Sequence, residues 1–281
     1  MTSVTVVHAR DLLETASWIG PSPSWGSLRA AAPAFKLEGM GVTLIRILPG
    51  QRTPWHGSGG WPEYGCQFPA VGDGSVYICV EGEVDFFAGA NQFHLQPRDL
   101  LPINAVVYQY SNPGLVDCYF WCLVKRHSEG AGGAESASNS PSRWDGDPLA
   151  SYCLGSHPYY DSKPTHMDPE PGRIYQVPWS EYRHEEVTWT GDREGQVGYY
   201  PPHAGGVSVR ALRIPRNSES SLGEFSYGRV LLGLQEEPVE LDTGEAVVSL
   251  VSGSAVAVPP GHIVRCSNRG ARDVVLFEAW V

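Results

Sequence analysis

The chain has 281 residues, of which 42% are hydrophobic and 18% charged, and its formal net charge is −11. This length and composition predict a globular protein of one large or two ordinary domains. The acidic balance and the lack of lysine and arginine clusters argue against nucleic acid and anionic membranes as partners, because phosphate binding needs a concentrated basic face. We therefore expect a small-molecule substrate or a protein partner.

The N-terminal stretch MTSVTVVHARDLLETASW has no basic segment followed by an unbroken apolar run, and no later stretch approaches the ~20 apolar residues that span a bilayer. We expect a cytoplasmic protein. The six cysteines lack CxxC spacing, so the sequence indicates neither a zinc site nor a dense disulfide framework. Cys118 and Cys122 are expected on one face of a strand.

Strand signals dominate the chain. Short segments rich in β-branched and aromatic residues are separated by Gly, Pro, Asn or Asp. In chain order they are GVTLIRIL (41–48), SVYICVEGEVDFF (75–87), DCYFWCLV (117–124), RVLLGL (229–234), EAVVSLV (245–251) and DVVLFEAWV (273–281). The only helix candidate of any length is ARDLLETASW (9–18). The pattern predicts a mostly-β protein of sandwich or barrel type.

Near its middle the chain changes character. Residues 128–147, SEGAGGAESASNSPSRWDGD, have hardly an apolar side chain, which predicts a flexible linker. Strands on its two sides resemble each other. The matching pairs are GVTLIRILPG (41–50) with GVSVRALRIPR (206–216), VYICVEGEVDFF (76–87) with VLLGLQEEPVEL (230–241), and the ends 100–124 with 255–281, each of which has a Pro and an Asn-containing turn. The sequence thus predicts an internal duplication.

A strand that ends in Pro-Gly, a histidine a few residues later, a hairpin with Gly at its tip and Asn-Pro-Gly before a closing strand resemble the cupin pattern. Two copies joined by a linker resemble a bicupin. The resemblance covers residues 40–125 and 205–281, and it implies an all-β fold of two cupin-like β-barrels, each a double-stranded β-helix or jelly roll. Residues 1–125 would form the barrel with the active pocket, 126–150 the linker, and 151–281 a structural barrel.

The segment PWHGSGGWPE (54–63) carries the first cupin-like motif. Metal-binding cupins resemble one another in His-x-His followed by Glu, and in a later His four residues before an Asn. His56 and Glu63 fit this pattern, but Ser58 stands in place of the second histidine and Tyr108, four residues before Asn112, in place of the last. Two of the four usual ligands are therefore replaced by weak neutral groups.

The second copy has lost more of the motif. The repeat alignment places Leu222, Glu224, Arg229 and Val264 at the four ligand positions, which leaves no imidazole to bind a transition metal. His262 in PPGHIV stands two residues from the expected place and is a partial exception. The lack of an imidazole at the four positions favours a structural role for the second copy.

This resemblance favours proton-transfer chemistry without a required cofactor. His56 or Glu63 would act as the base and Tyr108 as the acid, which suits an isomerase, dehydratase, cyclase or epimerase acting on a hydrophobic or aromatic metabolite. Aromatic and amide side chains near the motif would bind the substrate; these are Trp55, Trp61, Gln67 and Trp121.

Two alternatives stay open. An Fe, Mn, Ni or Zn ion held by His56 and Glu63 would make the protein a metal-dependent dioxygenase or lyase, as many bicupins are. Degenerate pockets in both copies would instead leave a non-catalytic protein that binds a small ligand. Because cupin barrels often pair through edge strands, we also expect a homodimer.

Overall fold

In a computed structural model, the structure describes residues 3–8, 11–12, 29–37, 40–52, 56–57, 75–103, 107–125, 174–181, 183–189, 193–200, 207–235 and 237–281. Nearly all of the predicted linker 126–150 and most of the helix candidate 9–18 lie outside these residues. In the described part of the chain, no helix is long and apolar enough to cross a membrane.

The described residues fold almost entirely into strands, which confirms the predicted all-β class. The first ten are β1 Thr5–His8, β2 Arg29–Leu37, β3 Met40–Ile47, β4 His56–Gly57, β5 Ser75–Glu81, β6 Val84–Ala88, β7 Asn91–Leu95, β8 Leu100–Ile103, β9 Val107–Ser111 and β10 Cys118–Lys125. After a 3-10 turn at Trp179–Glu181 come β11 Arg183–Trp189, β12 Arg193–Tyr200, β13 Ser208–Ile214, β14 Ser218–Gly223, β15 Arg229–Gly233, β16 Val239–Asp242, β17 Val247–Leu250, β18 Ser254–Val258, β19 Val264–Asn268 and β20 Val274–Trp280.

These strands form antiparallel sheets in two similar halves. In the N-terminal half, a five-stranded sheet of order β2-β3-β10-β5-β8 accompanies a four-stranded sheet of order β4-β9-β6-β7. In the C-terminal half, a seven-stranded sheet of order β1-β18-β15-β20-β13-β12-β11 accompanies a four-stranded sheet of order β14-β19-β16-β17. Each half thus has the larger-plus-smaller sheet arrangement of a jelly roll.

Three apolar cores hold the sheets together. One lies within the N-terminal half and is rich in aromatic rings, including Phe86 and Phe120. A second lies within the C-terminal half and is mainly aliphatic, with Leu231 and Leu276 among its members. The third combines side chains from the larger sheets of both halves, so those two sheets pack against each other.

This packing explains why the central strands read as continuous apolar runs. Along β5, Tyr77 and Cys79 belong to the core inside the N-terminal half, whereas Val76 and Ile78 belong to the core between the halves. A strand that is covered on both faces needs apolar residues at every position rather than at alternate ones. The larger sheets are therefore the buried centre of the molecule.

Two short segments pair with the sheet of the opposite half. Strand β1 adds to the edge of the seven-stranded sheet through β18. Residues 174 and 177 form isolated bridges with Ile103 and Leu100 of the five-stranded sheet. Buried Asp99 anchors this second segment, since its carboxylate accepts hydrogen bonds from the Gln176 amide and the Trp179 backbone N–H. The boundaries at 125 and 151 stay a prediction, and strand pairing crosses them in both directions.

The Asn-containing turns that suggested the duplication have the same structure in both halves. Asn112 Nδ2 donates to the carbonyls of Ile47 and Val116 at 2.9 and 2.7 Å, and its Oδ1 accepts from the Gly114 N–H. Asn268 Nδ2 donates to the carbonyls of Ile214 and Arg272 at 3.0 and 2.8 Å, and its Oδ1 accepts from the Gly270 N–H. Each buried amide thus connects a closing turn to the neighbouring β3 or β13 strand.

Candidate functional site

The backbone brings the two parts of the predicted N-terminal site together. His56 in β4 is the direct partner of Tyr108 in the antiparallel pair of β4 with β9. These residues are 52 positions apart in the sequence, and only the sheet makes them neighbours. The pairing is therefore compatible with a site that uses both residues.

The hydroxyl group of Tyr108 contacts a second tyrosine that the sequence analysis did not select. The Tyr77 and Tyr108 hydroxyl oxygens lie 2.5 Å apart, and the two rings meet edge to face with centroids 5.9 Å apart. Both side chains are buried. Burial raises the pKa of Tyr77 well above the usual value, with smaller contributions from Cys122, Tyr108 and Tyr110. Tyr77 is therefore a neutral phenol at physiological pH, able to donate a hydrogen bond to Tyr108.

Aromatic rings surround this tyrosine pair. The ring centroid of Phe86 lies 5.1 Å from that of Tyr77 and 6.1 Å from that of Tyr108, and the centroid of Phe120 lies 5.7 Å from that of Tyr77. Tyr110 stacks beside Tyr108 at 6.2 Å. Aromatic pairs favour offset-stacked, tilted or edge-to-face contacts. The result is an apolar, low-dielectric wall in which a hydroxyl–hydroxyl bond is strong and its loss costly.

The cysteines near the tyrosine pair are buried thiols. Cys118 and Cys122 both lie in the core of the N-terminal half, which confirms that they share a face of their strand. Burial raises the pKa of Cys122 to about 12, although hydrogen bonds with Tyr77 and Ser75 act in the opposite direction. A thiol with such a pKa stays protonated and is a poor nucleophile or metal ligand. Cys122 is therefore a neutral thiol beside the Tyr77 hydroxyl.

The remaining predicted site residues fall into two groups. The first lies outside the described residues and consists of Trp55, Ser58, Trp61, Glu63 and Gln67. The second is Trp121, which is fully buried in the core between the two larger sheets, on the other face of β10 from Phe120. Trp121 was predicted to line the substrate pocket, but in the structure its side chain packs in the core between the two halves. Neighbouring residues of a strand point to opposite faces, so Trp121 points away from the core that contains Phe120.

Within the part of the chain that the structure describes, no three His, Cys, Asp or Glu side chains are close enough to share a metal ion. Tyr108, at one of the predicted ligand positions, is a phenol whose hydroxyl already bonds to Tyr77. A neutral phenol is a weak ligand beside the imidazole that it replaces. A metal in this half would rest on His56 and Glu63.

The C-terminal half contains a buried charge cluster at the end of β13, β15 and β20. Arg229 Nη1 donates to Glu278 Oε1 at 2.9 Å, and Arg210 Nε donates to Glu278 Oε2. The sequence alignment assigned Arg229 to the lost glutamate position and did not identify its partners. A glutamate inside the apolar run VVLFEAWV was the available signal, because a charge in a buried strand must be paired.

The strand register also changes the repeat alignment at the position of His56. His56 pairs with Tyr108, and in the second half Gly223 pairs with Val264. Gly223, rather than Leu222, is thus the counterpart of His56, because an irregularity between Ser221 and Gly223 shifts the register by one residue. No imidazole occupies this position in either alignment.

His262 lies at the surface and not at the position of the missing ligand. Its Nε2 lies 3.0 Å from Glu245 Oε1, and the other oxygen of Glu245 accepts a hydrogen bond from the Val4 backbone N–H. The hydrogen bond that the His262 ring makes to the Glu245 carboxylate is the largest of the effects that raise the pKa of His262. This contact connects the start of the N-terminal segment to the C-terminal half.

Comparison with known proteins identifies the fold. No protein-family model matches the sequence, and no curated protein sequence matches it. Among solved structures, the chain is similar to a putative glyoxylate-induced protein from Pseudomonas aeruginosa, at 13% identity and a TM-score of 0.62 over 100% of this chain and 89% of that one. Salicylate 1,2-dioxygenase from Pseudaminobacter salicylatoxidans matches at 15% identity and a TM-score of 0.60, over 99% of this chain and 83% of that one.

A third similar structure is AerE from Microcystis aeruginosa, with 12% identity and a TM-score of 0.52 over 90% of each chain. These neighbours are cupin-family proteins. At such low identity the likeness concerns the fold alone. The protein has the all-β jelly-roll fold of the cupins.

Proposed function

We propose that this protein is a bicupin enzyme that moves protons on a small molecule in its N-terminal barrel. One observation carries the proposal: the hydroxyl of Tyr108 lies 2.5 Å from the hydroxyl of Tyr77, and Tyr108 is the backbone partner of His56. A histidine opposite a hydrogen-bonded phenol supplies a base and an acid at neighbouring positions.

The tyrosine pair suits proton donation. When Tyr108 gives its proton to a substrate, negative charge develops on its oxygen. Tyr77 remains protonated because burial raises its pKa, so its O–H can donate to that oxygen and stabilise the charge. His56 or Glu63 would act as the base and remove the proton that the substrate loses. We assign Tyr77 a positioning role and Tyr108, His56 and Glu63 the catalytic ones.

The aromatic wall indicates the kind of substrate. A hydrophobic or aromatic metabolite would contact apolar rings, and the exclusion of water would raise the pKa of a carboxylate in such a pocket. Trp55, Trp61 and Gln67 are proposed as further substrate contacts. Isomerisation, dehydration, cyclisation and epimerisation all need one proton removed and one supplied, which is what this set of groups offers.

A metal-dependent dioxygenase or lyase is the second candidate. The similarity of the fold to salicylate 1,2-dioxygenase, which extends over 99% of this chain, favours it. Fe, Mn, Ni or Zn would be held by His56 and Glu63 and would supply Lewis-acid or oxygen chemistry. The replacement of two imidazoles by Ser58 and Tyr108 weighs against tight binding, which is why we prefer proton transfer.

The test combines proton exchange with metal analysis. Full-length protein is incubated in D2O with a panel of aromatic keto acids, and deuterium incorporation is followed by NMR with and without EDTA. We expect exchange above the spontaneous rate that survives EDTA, is lost in His56→Ala and persists in the matched variant His262→Ala. Stoichiometric metal whose removal stops exchange would instead support the metal-dependent candidate. Saturable binding of these acids without exchange would indicate a non-catalytic protein.

A further inference from the structure

The charge cluster in the C-terminal half contains one more positive than negative charge. A single carboxylate, that of Glu278, lies between the guanidinium groups of Arg229 and Arg210. The side chains of Glu278 and Arg229 are 0% and 1% exposed, and that of Arg210 is 16% exposed. An uncompensated charge withdrawn from water is costly unless a partner balances it. Arg210 therefore holds a surplus charge at the partly exposed end of the cluster.

The jelly-roll fold itself does not need this cluster. Equivalent strand pairs, Cys118 with Ile47 and Val274 with Ile214, align the two halves. Counting four residues from Cys118 along β10 and from Val274 along β20 places Cys122 at the position of Glu278. The same counting places Thr43 at the position of Arg210, and the pairs Val124–Ser75 and Trp280–Arg229 place Ser75 at the position of Arg229. Neutral, small side chains occupy these positions in the N-terminal half.

Arg229 has a structural role that accounts for its burial. Its Nη2 donates to the carbonyls of Gly223 and His262 at 2.9 and 3.3 Å, in addition to the Nη1 contact with Glu278. Arg229 and Glu278 can therefore form a neutral pair that fastens the loops at this end of the barrel. Among the described residues, Arg210 has no carboxylate partner except Glu278, which it shares with Arg229.

Flat aromatic surfaces adjoin the surplus charge. The Arg210 guanidinium lies 5.4 Å from the ring centroid of Phe225 and 5.7 Å from that of Trp280. The Tyr227 ring stacks on Trp280 at a centroid distance of 6.0 Å with an interplanar angle of 20°. Phe225, Tyr227 and Trp280 are all partly exposed. The Arg229 guanidinium also lies over the Phe225 ring, 4.2 Å from its centroid. A cation beside partly exposed aromatic rings can hold a planar anion by charge and by stacking together.

We propose that this end of the C-terminal half binds a small aromatic carboxylate. Arg210 would pair with the carboxylate group, and Trp280 with Phe225 would contact the ring. Guanidinium and carboxylate match each other in planar, two-point geometry. A single surplus positive charge favours a monoanion over a phosphate ester. The site is separate from the proposed N-terminal proton-transfer site and does not depend on it.

The probe for the test is 4-fluorobenzoate, whose 19F NMR signal broadens and shifts on binding to the full-length protein. Arg210→Met should weaken its binding about tenfold or more, because it removes the surplus charge and leaves the Arg229–Glu278 pair intact. The matched control is Arg213→Met, which removes an arginine of the same strand that pairs with Asp273 at the surface. This control should bind the probe as the wild type does.

Two further measurements keep the test decisive. The neutral analogue 4-fluorobenzyl alcohol should bind about tenfold more weakly than 4-fluorobenzoate if charge is recognised. If Arg210→Met fails to fold, Trp280→Leu keeps the charge and should weaken binding of the aromatic probe relative to acetate. Equal affinities for Arg210→Met and wild type, equal affinities for the acid and the alcohol, or no saturable binding would overturn the proposal.

Discussion

The hydroxyl oxygens of Tyr77 and Tyr108 lie 2.5 Å apart inside a wall of phenylalanine and tyrosine rings. In an apolar interior, each hydroxyl is a major polar partner of the other, and a hydroxyl left without a bond there costs about 1–3 kcal/mol. The bond joins β5 of the five-stranded sheet to β9 of the four-stranded one. It therefore links the two sheets of the N-terminal half at the proposed site.

Removing either hydroxyl should destabilise the protein. We expect Tyr77→Phe and Tyr108→Phe each to lower the free energy of unfolding by about 1–3 kcal/mol, because each leaves a buried hydroxyl with a lost partner. The double variant should be destabilised by less than the sum, with a coupling of about 1 kcal/mol. Urea unfolding of the four proteins measures this cycle. Additive losses would mean that the two hydroxyls do not stabilise each other.

The two asparagine turns give a matched pair of variants. Asn112→Ala and Asn268→Ala each delete three hydrogen bonds to the backbone. We expect each to cost about 2–4 kcal/mol, since the partner carbonyls lose their amide donor. Asn91→Ala, which removes a single contact with the Ala88 carbonyl at 3.3 Å, is the control and should change stability by less than about 1 kcal/mol. A large cost in only one half would show that the two turns are not equivalent.

Much of the fold was predictable because it depends on local composition. β-branched and aromatic runs separated by turn residues identified the strands, and the Asn-containing turns indicated the duplication. The direction of Trp121 was not predictable in the same way. Both faces of β10 are apolar, so the sequence shows no alternation that could tell the inside of the barrel from the contact between the halves.

The site was predictable only in part, for a related reason. The likeness of His56 and Tyr108 to a known motif identified two strands that the structure pairs. Tyr77 and the Arg229–Glu278 pair depend on contacts between residues 31 and 49 positions apart, and no local pattern specifies such contacts. The one-residue irregularity before Gly223 likewise shifts a register that counting along the sequence cannot follow.

Limited proteolysis tests the predicted division of the chain. The composition of residues 126–150 predicts that trypsin cuts first at Arg126 or Arg143, since a segment with few large apolar side chains offers little resistance to a protease. Arg269 and Arg272 provide an internal comparison, because they are exposed but lie in the turn held by Asn268. Mass spectrometry of the first fragments identifies the cut. Initial cleavage at the 269–272 turn would contradict the predicted linker.

The contact between His262 and Glu245 should make attachment of the N-terminal segment depend on pH. The pKa of His262 is raised. The stabilisation that protonated His262 gives the folded state is therefore complete below the unfolded pKa of about 6.5, and it is lost as pH rises through the folded pKa. The pKa of Glu245 is lowered, mainly by His262 and also by the Val4 N–H, so its contribution is complete above about 4.3 and is lost as pH falls through the folded pKa. Protection of the β1 amides, corrected for intrinsic exchange, should therefore be greatest between those values and fall towards pH 8.

Glu245→Gln keeps the shape of the side chain, and it should bring the His262 pKa in an NMR titration back towards about 6.5 and flatten the pH dependence. An unchanged titration in that variant would show that Glu245 does not hold the His262 proton.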